Sequence, residues 1–183
     1  MRLSLRNAGW RVRGKDIVHG ASLDFEPAQL TAIIGPNGAG KSTLLQLASG
    51  LLPATSGDVW LGNAPITTLP PAQLAACRAM LMQDCPLRAR FTLRDLVAMG
   101  AQVSAPFMSS ATRLELADVL LERVGLAAFA ERDVMDLSGG ERQRVHLARV
   151  LMQMEAAVKE TSRPPGFLLM DEPISAQDLY RQH

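Results

Sequence analysis

The sequence predicts an α/β fold, and three segments carry that prediction. An apolar run of strand length at residues 30–34 precedes a glycine-rich turn and a helical run at residues 43–48. A second apolar run of strand length, at residues 167–170, ends in two carboxylates. Between them, at residues 92–130, apolar side chains recur at helical spacing. Buried strands that alternate with helices are typical of an α/β domain.

The N-terminal part is predicted to consist of antiparallel strands. Residues 3–5 alternate in polarity, and strand-like runs at 16–18 and 21–25 follow glycine turns. Gly50 and Pro53 mark the end of the first helix. Further predicted elements are a short strand within residues 56–62, a short helix at 71–79 and a strand at 80–82.

The C-terminal half is predicted to be mostly helical. Pro106 and the serine pair 109–110 divide the helical block into pieces, and a further helical run covers residues 145–152. A polar segment at 155–166 separates this run from the last strand, and its part at 159–166 is predicted to be a mobile linker. No repeat or low-complexity tract is present.

The glycine-rich turn fits the phosphate-binding pattern G-x-x-x-x-G-K-[ST]. Its glycines allow a tight turn that points several N–H groups at one spot, and the helix dipole that follows favours negative charge. In that pattern Lys41 supplies charge to the β- and γ-phosphates, and Ser42 offers a hydroxyl to Mg²⁺. The nucleotide-binding candidates are Gly35, Pro36, Asn37, Gly38, Ala39, Gly40, Lys41, Ser42 and Thr43.

A second helix start, at Ser138-Gly139-Gly140, offers open N–H groups beside small side chains. Glu141 stands three residues after Ser138, so an ordinary capping box is the competing interpretation. After the last strand, Asp171 is a candidate Mg²⁺ ligand, and Glu172 is a candidate to polarise an attacking water. A strand that ends in a solvated acidic turn, closed by Pro173, is the alternative there.

Taken together and in this order, the phosphate-binding loop, Leu-Ser-Gly-Gly-Glu-Arg-Gln-Arg at 137–144 and Asp-Glu-Pro at 171–173 resemble the ATP-binding subunit of ABC transporters. The resemblance covers essentially the whole chain. It implies a P-loop NTPase (RecA-like) core sheet with an N-terminal antiparallel β subdomain and an inserted helical subdomain. The single domain 1–183 would comprise a nucleotide-binding core at about 1–90 and 164–183 and a helical signature subdomain at about 91–155.

The same resemblance assigns roles to further residues. Gln83 resembles the glutamine that touches Mg²⁺ and signals to the membrane subunits, so it joins Lys41 and Glu172 as a catalytic candidate. Ser42, Gln83 and Asp171 are the metal candidates. Residues 175–178 resemble the D-loop, with Gln177 where the family usually has leucine and with Asp178 retained.

Residues 91–100 resemble the corresponding segment of iron-siderophore, cobalamin and haem importers. The polar segment at 155–166, with residues 178–183, most resembles haem (hemin) import ATPases. The resemblance implies a homodimer that sandwiches two ATP molecules with Mg²⁺. It also implies integral-membrane permease partners, a periplasmic binding protein in the same system, and a peripheral position on the cytoplasmic side of the bacterial inner membrane.

Two family features differ or stay open. Trp10 either stacks on adenine or is a half-buried strand tryptophan. The family continues past the D-loop into a strand that closes with a switch histidine, whereas this sequence ends at His183 without such a strand. The sequence is therefore expected to be a C-terminally truncated domain. Two rival functions are a soluble ABC-type ATPase without a membrane partner and an inactive remnant that binds nucleotide poorly.

Composition agrees with a packed globular domain. Hydrophobic residues make up 48% and charged residues 20% of the chain, and the net charge of +1 gives no indication of nucleic-acid binding. No apolar stretch reaches the roughly 20 residues that a membrane span needs, and the N-terminus has no signal-peptide core. Cys77 and Cys85 lack metal-ligand spacing and are expected to be reduced.

Overall fold

The computed structural model describes residues 1–83 and 89–172. The chain divides into two compact units, Met1–Pro70 and Pro71–His183. Four regions named above lie outside the described residues: Cys85, Pro173, the D-loop-like segment and His183. Within the described part of the chain, no helix is both long enough and apolar enough to span a lipid bilayer.

The first unit contains a four-stranded antiparallel sheet. Its strands are β1 (Leu3–Val12), β2 (Lys15–Phe25), β3 (Ser56–Leu61) and β4 (Ala64–Pro65), in the order β2-β1-β3-β4. The predicted N-terminal antiparallel region is confirmed, although the two short runs expected between residues 16 and 25 form one continuous strand. That strand pairs with β1 from Leu3 opposite Phe25 to Val12 opposite Lys15.

One helix, α1 (Lys41–Ser49), packs against this sheet. It ends at Gly50, whose left-handed backbone donates to the carbonyls of Gln46 and Leu47, as the punctuation of the sequence predicts. Its last turn is buried with apolar side chains of β1 and β3. The core of the unit consists of Leu3, Leu5, Ala8, Leu47, Ala48, Val59, Leu61 and Ile66.

The prediction of a buried strand at residues 30–34 is wrong for this structure. The segment has no regular secondary structure, and the side chains of Leu30 and Ile34 are 95% and 92% exposed. An apolar run becomes a strand only where a neighbouring strand supplies hydrogen-bond partners for its backbone. Among the residues that the structure describes, no strand pairs with this segment.

The second unit combines a parallel strand pair with a helical cluster. Its elements are α2 (Pro71–Cys77), β5 (Arg78–Leu81), α3 (Leu93–Ala98), α4 (Ser110–Arg123), α5 (Gly139–Thr161) and β6 (Phe167–Met170). β5 and β6 pair in parallel with Leu81 opposite Met170. Thr92 and Ser109 are the N-caps of α3 and α4, so the predicted break at the serine pair is confirmed.

Helix α5 is longer than the sequence pattern indicates. The first part of the polar segment predicted at residues 155–166 is helical, because α5 continues to Thr161. Ser162, in a left-handed conformation, is its C-cap. Residues 155–161 lack a strongly apolar pattern, but Ala156 and Ala157 are both buried, and Ala156 belongs to the helical core. Tertiary packing of one helix face, here through these two small side chains, stabilises a helix even where its sequence is polar.

Two close backbone approaches fix how the second unit packs. A Cβ on Gly100 would lie 2.2 Å from the carbonyl oxygen of Arg149, so the short 3₁₀ turn at Met99–Ala101 rests directly on α5. A Cβ on Gly166 would lie 1.8 Å from the carbonyl oxygen of Cys77. Only glycine allows both approaches. The thiol of Cys77 is itself buried, and burial raises its pKa, so it stays protonated at neutral pH.

Candidate functional site

The phosphate-binding loop in the first unit leads directly into α1. Gly38 and Gly40 adopt left-handed conformations, with φ of 79° and 88°. Gly40 is the N-cap of α1 and has no side chain to occupy the first-turn N–H groups of the helix. A helix end of this kind presents backbone donors and positive dipole charge to an anion. The predicted helix after the loop is confirmed, while the predicted strand before it is not.

The loop also rests closely on the N-terminal hairpin. A Cβ on Gly40 would lie 2.8 Å from the carbonyl oxygen of Ile17 and 3.5 Å from Val18, both on β2. Any other residue at position 40 would have to push the loop away from β2, in addition to the strain of its left-handed φ. Glycine is therefore required at position 40 for two reasons: the backbone there is left-handed, and β2 leaves no room for a Cβ atom.

Lys41 folds back over the loop. Its Nζ donates to the carbonyl oxygens of Gly35 (2.9 Å) and Pro36 (3.0 Å). These two bonds hold the ammonium group against the loop, beside the start of α1. An ammonium ion has three donors and behaves as a point charge, so it can exchange carbonyl partners for phosphate oxygens without a change in the backbone.

The second helix start, at α5, forms the capping box that the sequence allows. Ser138 Oγ accepts from the N–H of Glu141, and the Glu141 carboxylate accepts from Ser138 N–H (2.8 Å) and Oγ (2.7 Å). These bonds, the one from the hydroxyl above all, lower the pKa of Glu141. Gly139 lies at an open position, because a Cβ there would meet nothing within 4 Å. The capping interpretation is confirmed, and Gly139 is uncovered beside the cap.

Ser138→Ala is expected to lower the free energy of unfolding by about 1 kcal/mol, because α5 loses its cap. The folded pKa of Glu141 is depressed, so its contribution to stability is present above the pKa of an unfolded glutamate and disappears as pH falls through the folded value. The difference in melting temperature between wild type and variant should therefore shrink in acid, below about pH 4.3.

Ser109→Ala supplies the matched control for that measurement. Ser109 also caps its helix, accepting from the N–H of Thr112, but its hydroxyl partner is Thr112 Oγ1 rather than a carboxylate. This variant should lose similar stability with no such shrinkage in acid. A Ser138→Ala difference that stays constant from neutral pH to pH 3 would show that Glu141 contributes nothing through the cap.

The carboxyl ends of β5 and β6 bring three predicted site residues together in the second unit. The N–H of Asp171 donates to the carbonyl oxygen of Leu81 (2.9 Å), which extends the parallel ladder by one residue. Asp171 is only 7% exposed. One residue further, Glu172 accepts a hydrogen bond on Oε2 from Nε2 of Gln83 (2.8 Å). Gln83 follows β5 by two residues, so the strand register itself sets this pairing.

Glu172 has an unusual backbone for a residue with a side chain. Its φ is 45°, in the left-handed region. Its carbonyl oxygen accepts a hydrogen bond from Nε2 of Gln143, on α5 (3.4 Å). Sequence reasoning assigned no role to Gln143. Its only signal is its place within the motif Leu-Ser-Gly-Gly-Glu-Arg-Gln-Arg, because a contact between residues 29 positions apart cannot be inferred from spacing.

The oxygen donors at these positions fit Mg²⁺, which prefers carboxylate, carbonyl and hydroxyl oxygens and keeps several waters beside one or two protein ligands. Asp171 and the amide of Gln83 belong to the same strand edge of the second unit, and Asp171 is buried where a carboxylate benefits from a cation. Ser42 belongs to the first unit, in the first turn of α1. The described residues contain no cluster of three or more His, Cys, Asp or Glu side chains.

The remaining candidates divide between the units. Lys41 and the rest of the loop lie in the first unit, as does Trp10, which is half-buried in β1 opposite Val18. Ser138, Gly139 and Gly140 lie in the second unit with the acidic pair and the two glutamines. The first unit thus offers a helix N-terminus with an ammonium group beside it. The second unit offers another helix N-terminus and a carboxylate that accepts a hydrogen bond from a glutamine amide.

A protein-family model described as "ABC transporter" matches residues 18–175. That range includes the loop, the start of α5 and the acidic pair. Among solved structures, a nucleotide-free ATP-binding cassette from an ABC transporter superposes with a TM-score of 0.75 and 27% identity, over 96% of this chain and 71% of that chain.

Two curated relatives carry the name hemin import ATP-binding protein HmuV. The one from Rhodopseudomonas palustris (strain HaA2) is 43% identical over 180 residues, which is 98% of this chain and 66% of the relative. The one from Bradyrhizobium diazoefficiens is 44% identical over 180 residues, 98% of this chain and 65% of the relative. The chain thus spans slightly less than two thirds of the length of these relatives.

Proposed function

The chain belongs to the ABC transporter family, and on that premise we propose that it binds and hydrolyses ATP to energise an importer. The observation that carries the proposal is the loop before α1, with Lys41 Nζ poised over it and the helix N-terminus open. Phosphoryl transfer needs little covalent chemistry from the protein, so positioning and charge account for most of the catalysis. The loop provides both.

At the phosphate end, the proposed ligands are the loop residues 35–43. Backbone N–H groups of the first turn of α1 bind phosphate oxygens, and Lys41 exchanges its bonds to Gly35 and Pro36 for the β- and γ-phosphates. Ser42, Gln83 and Asp171 are the proposed Mg²⁺ ligands. When bound with ATP, this ion would neutralise charge on the phosphates.

For hydrolysis, we assign Glu172 the role of the group that orients and polarises the attacking water. Its carboxylate follows the buried Asp171 and is held by Gln83, so it is fixed in direction while staying exposed. Gln83 is the third catalytic candidate. These roles come from the resemblance of the motifs, and the hydrogen bond between Gln83 and Glu172 supports them.

The proposed active form is a homodimer with two ATP molecules between the copies. In it, Ser138, Gly139 and Gly140 of one copy face the γ-phosphate bound to the loop of the other. The open position of Gly139 supports this, because nothing in the described part of its own unit covers it. A helix N-terminus that meets the phosphate only on closure stabilises developing charge at that moment and not before.

The transported substrate is proposed to be haem or a related iron chelate. The names of the relatives from Rhodopseudomonas palustris and Bradyrhizobium diazoefficiens support this at 43% and 44% identity. Integral-membrane permease subunits and a periplasmic binding protein would complete the system, with this subunit peripheral on the cytoplasmic side of the inner membrane.

We also propose a functional subdivision of the chain. The nucleotide-binding core comprises about residues 1–90 and 164–183, and the helical subdomain comprises about residues 91–155.

Purification of the protein from membranes in mild detergent tests the proposal. We expect a permease to co-purify, and we expect Mg²⁺-dependent ATP hydrolysis that rises when permease and haem-loaded binding protein are reconstituted in vesicles. Hydrolysis by a protein that never associates with membranes would instead support a soluble ATPase. Absence of ATP binding in the co-purified complex would overturn the nucleotide assignment altogether.

A further inference from the structure

We propose that two glutamine side chains clamp Glu172, and that one of them, Gln143, is a positioning residue for hydrolysis. The proposal rests on the proposed function, which gives Glu172 its part in activating water. It adds a residue that is neither a phosphate ligand nor a metal ligand. It also links the catalytic carboxylate to the helix that carries the Ser-Gly-Gly start.

The backbone of Glu172 is the first observation behind the clamp. A non-glycine residue in the left-handed region is uncommon and strained, so it persists only where surrounding contacts hold it. Glu172, with φ of 45°, is such a residue. Its neighbour Asp171 is fixed by the ladder bond to Leu81. The turn from strand to carboxylate is therefore anchored on the strand side.

The two glutamines hold Glu172 from different elements. Gln83, beyond β5, donates to the carboxylate Oε2 at 2.8 Å, and Gln143, on α5, donates to the main-chain carbonyl at 3.4 Å. One bond fixes the direction of the side chain, and the other fixes the peptide that carries it. A carboxylate whose backbone and side chain are both held needs little reorganisation before it acts on a water.

The position of Gln143 gives the clamp a further consequence. It lies four residues after Gly139, the first residue of α5, and so one turn inside the helix. In the proposed dimer that helix start meets the ATP bound to the other copy. A shift of α5 on dimer closure would reach Glu172 through Gln143, so each ATP site would depend on occupation of the other.

Nuclear magnetic resonance of the ligand-free protein tests the clamp without any ATPase activity. The side-chain NH₂ signals of Gln83 and Gln143 are assigned by their loss in Gln83→Met and Gln143→Met. We expect the Gln83 signal to shift in Glu172→Ala, and both NH₂ groups to exchange with solvent more slowly than that of Gln73, which lies exposed on α2. A Gln83 signal unmoved by Glu172→Ala, with Gln143 exchanging as fast as Gln73, would overturn the clamp.

Kinetics separate positioning from a general structural role. In the permease complex, Gln143→Met should lower kcat by on the order of 10- to 100-fold with the KM for ATP little changed, because the carboxylate is misplaced rather than removed. In Gln143→Glu the side chain has nearly the same shape, but an ionised carboxylate only accepts hydrogen bonds. It cannot donate to the carbonyl of Glu172, so kcat should fall as much as in Gln143→Met. The Hill coefficient for ATP should fall towards one in both variants.

Gln153→Met is the matched control on the same helix. Gln153 donates to the carbonyls of Ala75 and Arg78 at 2.8 and 2.9 Å, so its loss should lower the melting temperature more than Gln143→Met does. Wild-type kcat and cooperativity in Gln143→Met would refute the positioning role. A wild-type protein that neither binds nor hydrolyses ATP would refute the proposed function, while the resonance measurement would still decide the clamp.

Discussion

Lys41→Ala is expected to abolish ATP hydrolysis. Removal of one charge-stabilising group typically lowers turnover by a factor on the order of 10²–10³, and we expect a loss of at least this size. In this structure the ammonium group bonds only to the carbonyls of Gly35 and Pro36 among the contacts described for it. Those two bonds hold the cation at the loop, and the negative charge of a phosphate would displace them. Alanine keeps the helix and the loop but removes the cation.

Lys15→Ala is the control for that variant, because Lys15 is an exposed lysine on β2 whose removal changes the net charge equally. Isothermal titration with ATP and a phosphate-release assay measure binding and turnover. Lys15→Ala should match wild type in both. Equal hydrolysis by Lys41→Ala and wild type would refute the assignment of the loop as the phosphate site.

Glu172→Gln is expected to stop hydrolysis while ATP binding persists, and so to trap an ATP-bound dimer. A glutamine oxygen at position 172 can still accept the bond that Gln83 donates to the carboxylate, so the side chain keeps its direction. What it loses is the charge and basicity that polarise water. ATP then continues to bridge the two copies because nothing removes its γ-phosphate.

Sedimentation or size-exclusion chromatography with ATP and Mg²⁺ measures the trapped dimer. Glu115→Gln, at an exposed position of α4, removes the same charge away from the site and should behave as wild type. If Glu172→Gln stays monomeric under saturating ATP and hydrolyses as fast as wild type, both the role of Glu172 and the sandwich arrangement fail.

Local signals in the sequence predicted local structure well. The capping box at Ser138, the glycine that ends α1, and the serine that starts α4 all lie where the sequence indicates. Each depends on residues within one helical turn, and short-range hydrogen bonds of this kind follow from residue type and spacing alone. The alternation in residues 3–5 likewise led to the correct antiparallel sheet.

Features that depend on distant partners could not be predicted in the same way. Residues 30–34 have the composition of a buried strand, yet they are exposed because pairing decides burial. The bond between Gln83 and Glu172 joins residues 89 apart in sequence, and the strand register that creates it is invisible in either segment. The role of Gln143 was missed for the same reason. Both examples concern contacts between elements rather than elements themselves.

Helix α5 has a mechanical consequence. Its 23 residues make a rod about 35 Å long, and the turn at Gly100 presses on Arg149, near its midpoint. Were the helix to tilt about this contact as a rigid rod, it would act as a lever with two similar arms. A tilt of about 5° would move each end by roughly 1.5 Å in opposite directions, over arms of about 17 Å. A displacement of the Ser-Gly-Gly end would thus be accompanied by a displacement in the opposite direction beside Thr161.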